Sequence, residues 1–236
     1  MFHLRGNMGS TLASDIFERE QPMHKKLRNI KLVVFDLDGV LVDTDSSWRT
    51  VHEAFGVDNE ENFQRYLRDE ISFKEFMRSD IRLWNYIHIN QIKRILDQVP
   101  LIKGAKETVN ALRKAGYKTA IISSGISLLA DRIKNELGID QSFANELLVN
   151  QNGHLTGEGK ENVELLKKVR ILRQLAAIEG ITTQQCAVVG DSIFDIPLFK
   201  KAGFSIAFNT KDRRVEEAAD LAIEDKDLKK ILRSFI

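Results

Sequence analysis

The sequence predicts an α/β protein built on a parallel sheet. Short apolar runs alternate with segments of helical period. Those runs are continuous rather than alternating, as expected of strands covered on both faces. One long stretch without strand character follows the first run. Together these give a Rossmann-like core with helices on both faces and a small helical cap inserted after the first strand.

"KLVVF" (31–35) opens the sheet. Residues 45–99 are rich in charge and aromatics and read as two or three amphipathic helices, the cap. "GAKETVNALRKAG" sets Ala105, Val109 and Leu112 on one side and stops at Gly116. "YKTAIIS" (117–123) is the next strand. "SLLADRIKNELG" repeats Leu129, Ile133 and Leu137 and stops at Gly138. Asn152-Gly153 marks a hairpin. "ELLKKVRILRQLAAIEG" is a helix ended by Gly180, and "QCAVVG" (185–190) and "FSIAF" (204–208) are further strands. The division is then 29–44 plus 100–236 as catalytic core and 45–99 as cap. Residues 1–28 form a loose N-terminal extension without a leader pattern.

A net charge of +1 over 236 residues gathers neither nucleic acid nor anionic membrane. No apolar run approaches the roughly 20 residues of a membrane helix. The one cysteine, Cys186, cannot form an internal disulfide, which fits a reducing, cytoplasmic setting. It lies in an apolar run and reads as packing. The five histidines show no ligand spacing, which argues against a histidine zinc site. A small molecule is the expected partner.

Ligands of open α/β sheets bind beyond the carboxyl ends of the strands. Asp36-Leu37-Asp38-Gly39 follows the first run, Ser123-Ser124-Gly125 ends the second, and Asp191-Ser192 follows "QCAVVG", with Asp195 close behind. Two carboxylates at ~4 Å repel by about 1 kcal/mol in water and roughly 4 at an effective dielectric of 20. Converging Asp36, Asp38 and Asp191 therefore need a cation. Oxygen-only ligands favour Mg²⁺, which can share its coordination with a phosphate oxygen. Ser123 and the backbone N–H groups of Ser124 and Gly125 can hold the other phosphate oxygens, with a lysine neutralising the rest.

"FDLDGVLVDT", "IISSGIS" and "VVGDSIFD", in that order, resemble three motifs of the haloacid dehalogenase superfamily. From "GAKETVNALRKAGYK" onward the chain is most similar to the phosphoserine phosphatase branch. The resemblance implies Asp36 as nucleophile, forming an aspartyl-phosphate, and Asp38 as general acid and base. It implies Mg²⁺ held by Asp36, the Asp38 backbone carbonyl and Asp191, with Asp195 ligating through water or orienting Asp191. Ser123 would bind the phosphoryl group. Lys168 would offset its charge, with Lys167 as the alternative register.

Other positions depart from that branch. Gly39-Val40 stand where it has serine or threonine, Asp45 replaces a cap glutamate, and Asp80 falls where a cap arginine holds the substrate carboxylate. Arg78 or Arg82 could substitute only on a register shift. Val169 replaces a glycine and Phe194 an asparagine. The expectation is a Mg²⁺-dependent phosphomonoester hydrolase acting on something other than phosphoserine. The alternatives are phosphoserine phosphatase itself, a phosphomutase whose cap-entry histidine could only be His52, and a non-catalytic phosphate-binding protein. Asp38 argues against a haloacid dehalogenase, which needs no acid there.

Overall fold

The computed structural model describes residues 27, 29–84 and 86–236. The expected N-terminal extension, apart from Leu27, lies outside the described residues. The strands are β1 (Leu32–Phe35), β2 (Lys118–Ile126), β3 (Gln141–Val149), β4 (Leu155–Lys160), β5 (Cys186–Gly190), β6 (Phe204–Phe208) and β7 (Leu221–Ile223). They form one sheet in the order β4-β3-β2-β1-β5-β6-β7. All neighbours are parallel except the β3–β4 hairpin, whose turn holds Gly153 at φ 78°.

Side chains of the central strand alternate between the faces. Leu32 and Val34 pack with Ile171, Leu172 and Leu175 of α7 (Lys168–Ile178). Val33 and Phe35 pack with Val109 and Leu112 of α5 (Ala105–Lys114) and with Leu129 and Ile133 of α6 (Ser127–Leu137). Helices thus cover both faces. Cys186 is buried among apolar neighbours, as expected. β1 lies between β2 and β5, with Phe35 opposite both Ile121 and Val189. The three motifs consequently emerge side by side at one rim.

Among the described residues the insert contains four helices rather than two or three: α1 (Ser47–Phe55), α2 (Glu60–Leu67), α3 (Phe73–Leu83) and α4 (Ile89–Leu96). Local caps divide it. Ser46 caps α1, Ser72 and Glu75 form a capping box on α3, and His88 caps α4. The outer face of α3 meets the hairpin, where Arg78 pairs with Glu158 at 2.8 Å. Val51, Met77, Ile81, Trp84, Ile92 and Leu96 of the insert belong to the same buried cluster as Val33 and Phe35.

Three further departures have local causes. β2 runs on to Ile126 through Ser123-Ser124-Gly125, with its register against β3 shifting between Ile122 and Ile126. α7 begins only at Lys168, after a 3₁₀ turn over Leu165–Lys167. β3 begins at Gln141, well before the hairpin's "LLV", because Gln141–Phe143 pair with β2, and β7 has only three residues, too few to show a period.

Because the apolar cluster is continuous from sheet to insert, both should unfold together. Urea transitions followed by tryptophan fluorescence, which reports Trp48 and Trp84 of the insert, and by far-UV circular dichroism should coincide. Leu96→Ala should lower the unfolding free energy by about 2–5 kcal/mol on both probes.

Candidate active site

The rim is organised around one buried lysine. Lys168, the first residue of α7, is 2% exposed. Its Nζ donates to Asp36 Oδ2 at 2.7 Å and to Asp195 Oδ1 at 2.8 Å. Asp36 Oδ1 also accepts the Leu37 N–H at 2.7 Å. Burial pulls the Lys168 ammonium towards neutrality, but the Asp195 and Asp36 carboxylates outweigh it and hold it charged. Lys167 is exposed and pairs with Glu164 at 2.9 Å, so the geometry places Lys168, not Lys167, at the site.

Asp36, Asp191 and Asp195 each bring a carboxylate oxygen within 4.8 Å of the others. Asp195 is not, however, an open ligand. Besides Lys168, it accepts from the N–H groups of Asp191 and Ser192 and from the Ser192 hydroxyl, at 3.3, 3.2 and 3.0 Å. These bonds suit the expected role of orienting Asp191, while a carboxylate oxygen of Asp195 stays within metal-ligating reach of Asp36 and Asp191, as the other expectation requires. Asp191's own carboxylate accepts no hydrogen bond from a described residue. Burial pushes the Asp36 carboxyl up to about 7, opposed by Lys168 and reinforced by Asp195 and Asp38. Burial and the neighbouring Asp36 and Asp195 push Asp191 up to about 8. Mutually repelling oxygen donors of this kind fit a hard divalent cation such as Mg²⁺. Gly39 lets the chain pass beside them: its φ is 77°, and a Cβ there would overlap Asp191 Oδ2.

Asp38 is set apart from this group. Its Oδ2 accepts from the Ser47 backbone N–H at 2.9 Å and from the Ser47 hydroxyl at 3.0 Å. Its Oδ1 is buried with no hydrogen-bond partner among the described residues. Burial pushes this carboxyl up and the two Ser47 bonds pull it back down. Ser47 Oγ also accepts the Ile126 N–H at 3.1 Å, tying α1 to the end of β2. Sequence reasoning missed Ser47, since a serine at a helix start reads only as a cap. Gly125 is required by close approach, because a Cβ there would overlap Ser47 Oγ.

Ser123 is 1% exposed and its hydroxyl accepts the Gly125 N–H at 2.9 Å. The expected Gly125 donor to phosphate is therefore already engaged within the loop. The Ser124 carbonyl accepts from the Trp48 indole at 3.0 Å and from Asn145 at 2.8 Å.

A cavity of about 550 Å³ lies between insert and strand ends. Trp48, Phe63 and Phe76 from the insert and Ser124, Leu165 and Phe194 from the core line it. Arg49 also lines it and has no ion-pair partner among the described residues. Arg78 and Arg82 do not reach it; both face Glu158, at 2.8 and 3.6 Å. Asp80 does line the cavity, bonded to His52 at 2.8 Å and Asn59 at 2.7 Å. His52 is buried in that contact and accepts the Trp84 indole N–H at 3.0 Å.

Acids, a buried lysine and a capped cavity at the switch point of a parallel sheet define a phosphohydrolase of the α/β class. A family model described as haloacid dehalogenase-like hydrolase matches residues 30–203. The chain belongs to that family, and it is a phosphatase. It is 38% identical over 211 residues to a phosphoserine phosphatase of Archaeoglobus fulgidus, covering 88% of this chain and 60% of that protein. A phosphoserine phosphatase of Methanocaldococcus jannaschii is 36% identical over 208 residues, covering 86% and 96%. A solved structure of a substrate-bound phosphoserine phosphatase complex superposes with a TM-score of 0.75 at 32% identity, covering 88% of this chain and 99% of the other. Another, with TM-score 0.74, 33% identity and the same coverages, is described as a phospho-aspartyl intermediate analogue of phosphoserine phosphatase. Among the described residues no helix is long and apolar enough to cross a membrane.

The raised carboxyls give a pH dependence in chelated protein. Unfolded aspartate titrates near about 3.9, whereas Asp36 and Asp191 titrate near 7 and 8 in the folded state. The fold then binds more protons than the unfolded chain, so this contribution is fully present below about pH 4 and is lost as pH rises through 7 to 8. With EDTA, thermal midpoints should fall between about pH 4 and about pH 8 and level off above. Added Mg²⁺ should raise the midpoint more at pH 8 than at pH 5, because it binds the ionised carboxylates.

Proposed function

We propose that the protein hydrolyses a small phosphomonoester through an aspartyl-phosphate intermediate with Mg²⁺ as cofactor. The observation carrying this is the buried, unpartnered Asp38 Oδ1 beside an Asp36 carboxylate anchored by Lys168. Asp36 attacks phosphorus, the ester P–O bond breaks, and Asp38 Oδ1 delivers a proton to the departing alkoxide. Asp38 then takes a proton from the water that attacks the acyl-phosphate, which releases inorganic phosphate and restores the Asp36 carboxylate. Lys168 holds Asp36 in line, and the Ser123 hydroxyl and the Ser124 N–H bind phosphoryl oxygens. Asp36 and Asp191 would hold Mg²⁺, which supplies charge neutralisation when bound. The neighbour described as a phospho-aspartyl intermediate analogue supports the covalent route. Residues 45–99 act as a cap over the core.

The names of the relatives support phosphoserine as substrate, the alternative above, better than its exclusion. The unpaired Arg49 at the cavity offers a guanidinium for a carboxylate. A different leaving group is favoured by one observation: Asp80 and four phenylalanines line a cavity of about 550 Å³, roomy for a seryl group.

A panel of phosphate esters including O-phosphoserine, assayed with and without Mg²⁺, tests both readings. Activity should require Mg²⁺, and Asp36→Asn should lower kcat by at least about 10³-fold; retained turnover in that variant would refute the covalent route. Ser47→Ala, which frees Asp38 Oδ2, should lower kcat about 10- to 100-fold and change KM little, less than the roughly 10²- to 10⁴-fold of general acid–base catalysis because Asp38 itself remains.

A further inference from the structure

We propose that Asp80 is the subsite for a cationic amine carried by the leaving group. This rests on the reading of the cavity as the phosphate-ester site. Asp80 is 2% exposed and lines the cavity wall from α3. Its Oδ1 is doubly engaged, by His52 Nε2 at 2.8 Å and Asn59 Nδ2 at 2.7 Å. Its Oδ2 accepts no hydrogen bond from a described residue.

The partners of Oδ1 are both neutral. The Trp84 indole can only donate, so His52 Nδ1 must present a lone pair to it. The neutral ring then carries its proton on Nε2 and donates it to Asp80. A second proton on Nδ1 would break the Trp84 bond. No lysine or arginine among the described residues lies within ion-pair distance of Asp80, and Arg78 and Arg82 of the same helix face Glu158.

A buried carboxylate with neutral donors on one oxygen is incompletely compensated, and an ammonium in the cavity completes it with a charge-assisted bond. The rest of the lining agrees in sign. Exposed Glu53, Asp58 and Glu60 line the same cavity, against the single Arg49. A leaving group with an amine fits this wall better than an apolar or purely anionic one.

The test compares 2-aminoethyl phosphate with n-propyl phosphate, which exchange an ammonium for a methyl group at equal length. With the full-length, Mg²⁺-loaded protein, kcat/KM should favour the aminoethyl ester about 10- to 100-fold, the range for a hydrogen bond to a charged group. Asp80→Asn, which keeps the shape and removes the charge, should bring the ratio to near one. A merely structural role would lower both rates and leave the ratio where it was, overturning the proposal. Should the variant fail to fold, a wild-type ratio near one overturns it alone. If neither ester is turned over, both lie outside the substrate range and the hydrolase reading is decided by the wider ester panel. Thermal-shift titrations with the two esters then decide this inference, tighter aminoethyl binding upholding it and equal binding overturning it.

Discussion

A buried ammonium shared between two buried carboxylates is the constraint from which the site follows. Lys168 can remain charged inside the protein only because Asp36 and Asp195 flank it. Removing any member would strand an uncompensated charge at a cost of about 3–5 kcal/mol. The triad joins residues that are remote in sequence: the end of β1, the start of α7 and the loop after β5. It thereby fixes where those elements meet and aims the nucleophile candidate at the rim.

The same triad explains the repulsion left over. Lys168 neutralises part of the charge of Asp36 and Asp195 but leaves Asp191 facing both. That residual conflict raises the affinity of the group for protons, and equally for a divalent cation. Asp38 escapes it by turning to Ser47 at the start of the insert. One serine thus fastens the insert to the core and leaves the other oxygen of the acid buried and unbonded among the described residues. The two acids, only two residues apart, work differently because their surroundings differ.

Recognition is arranged separately from chemistry. Strand ends and their glycines carry the proposed reacting groups, whereas the insert carries most of the cavity wall. Trp48 stacks on Trp84 and donates to the Ser124 carbonyl, so that wall is tied to the end of β2 beside the buried Ser123. Arginines that could have served the cavity are instead drawn to Glu158 on the hairpin, which left Asp80 as the buried charge of that wall.

Much of this was legible in the chain itself. The α/β class, the insertion point, the glycine stops and the Asn152-Gly153 hairpin follow from local chemistry: apolar period, capping and the glycine-only φ of tight turns. The acids Asp36, Asp38 and Asp191 were legible too, because parallel strands deliver whatever follows them to a common rim. Four helices instead of two or three, the start of α7 at Lys168 and the extension of β2 to Ile126 depended on caps and register that neighbours set. The choice of Lys168 over Lys167, the engagement of the Gly125 N–H, the role of Ser47 and the isolation of Asp80 were decided only by the tertiary structure. A hydrogen bond or an ion pair depends on distance and on desolvation. Neither exists along a sequence until folding has brought its two ends together and removed the water between them.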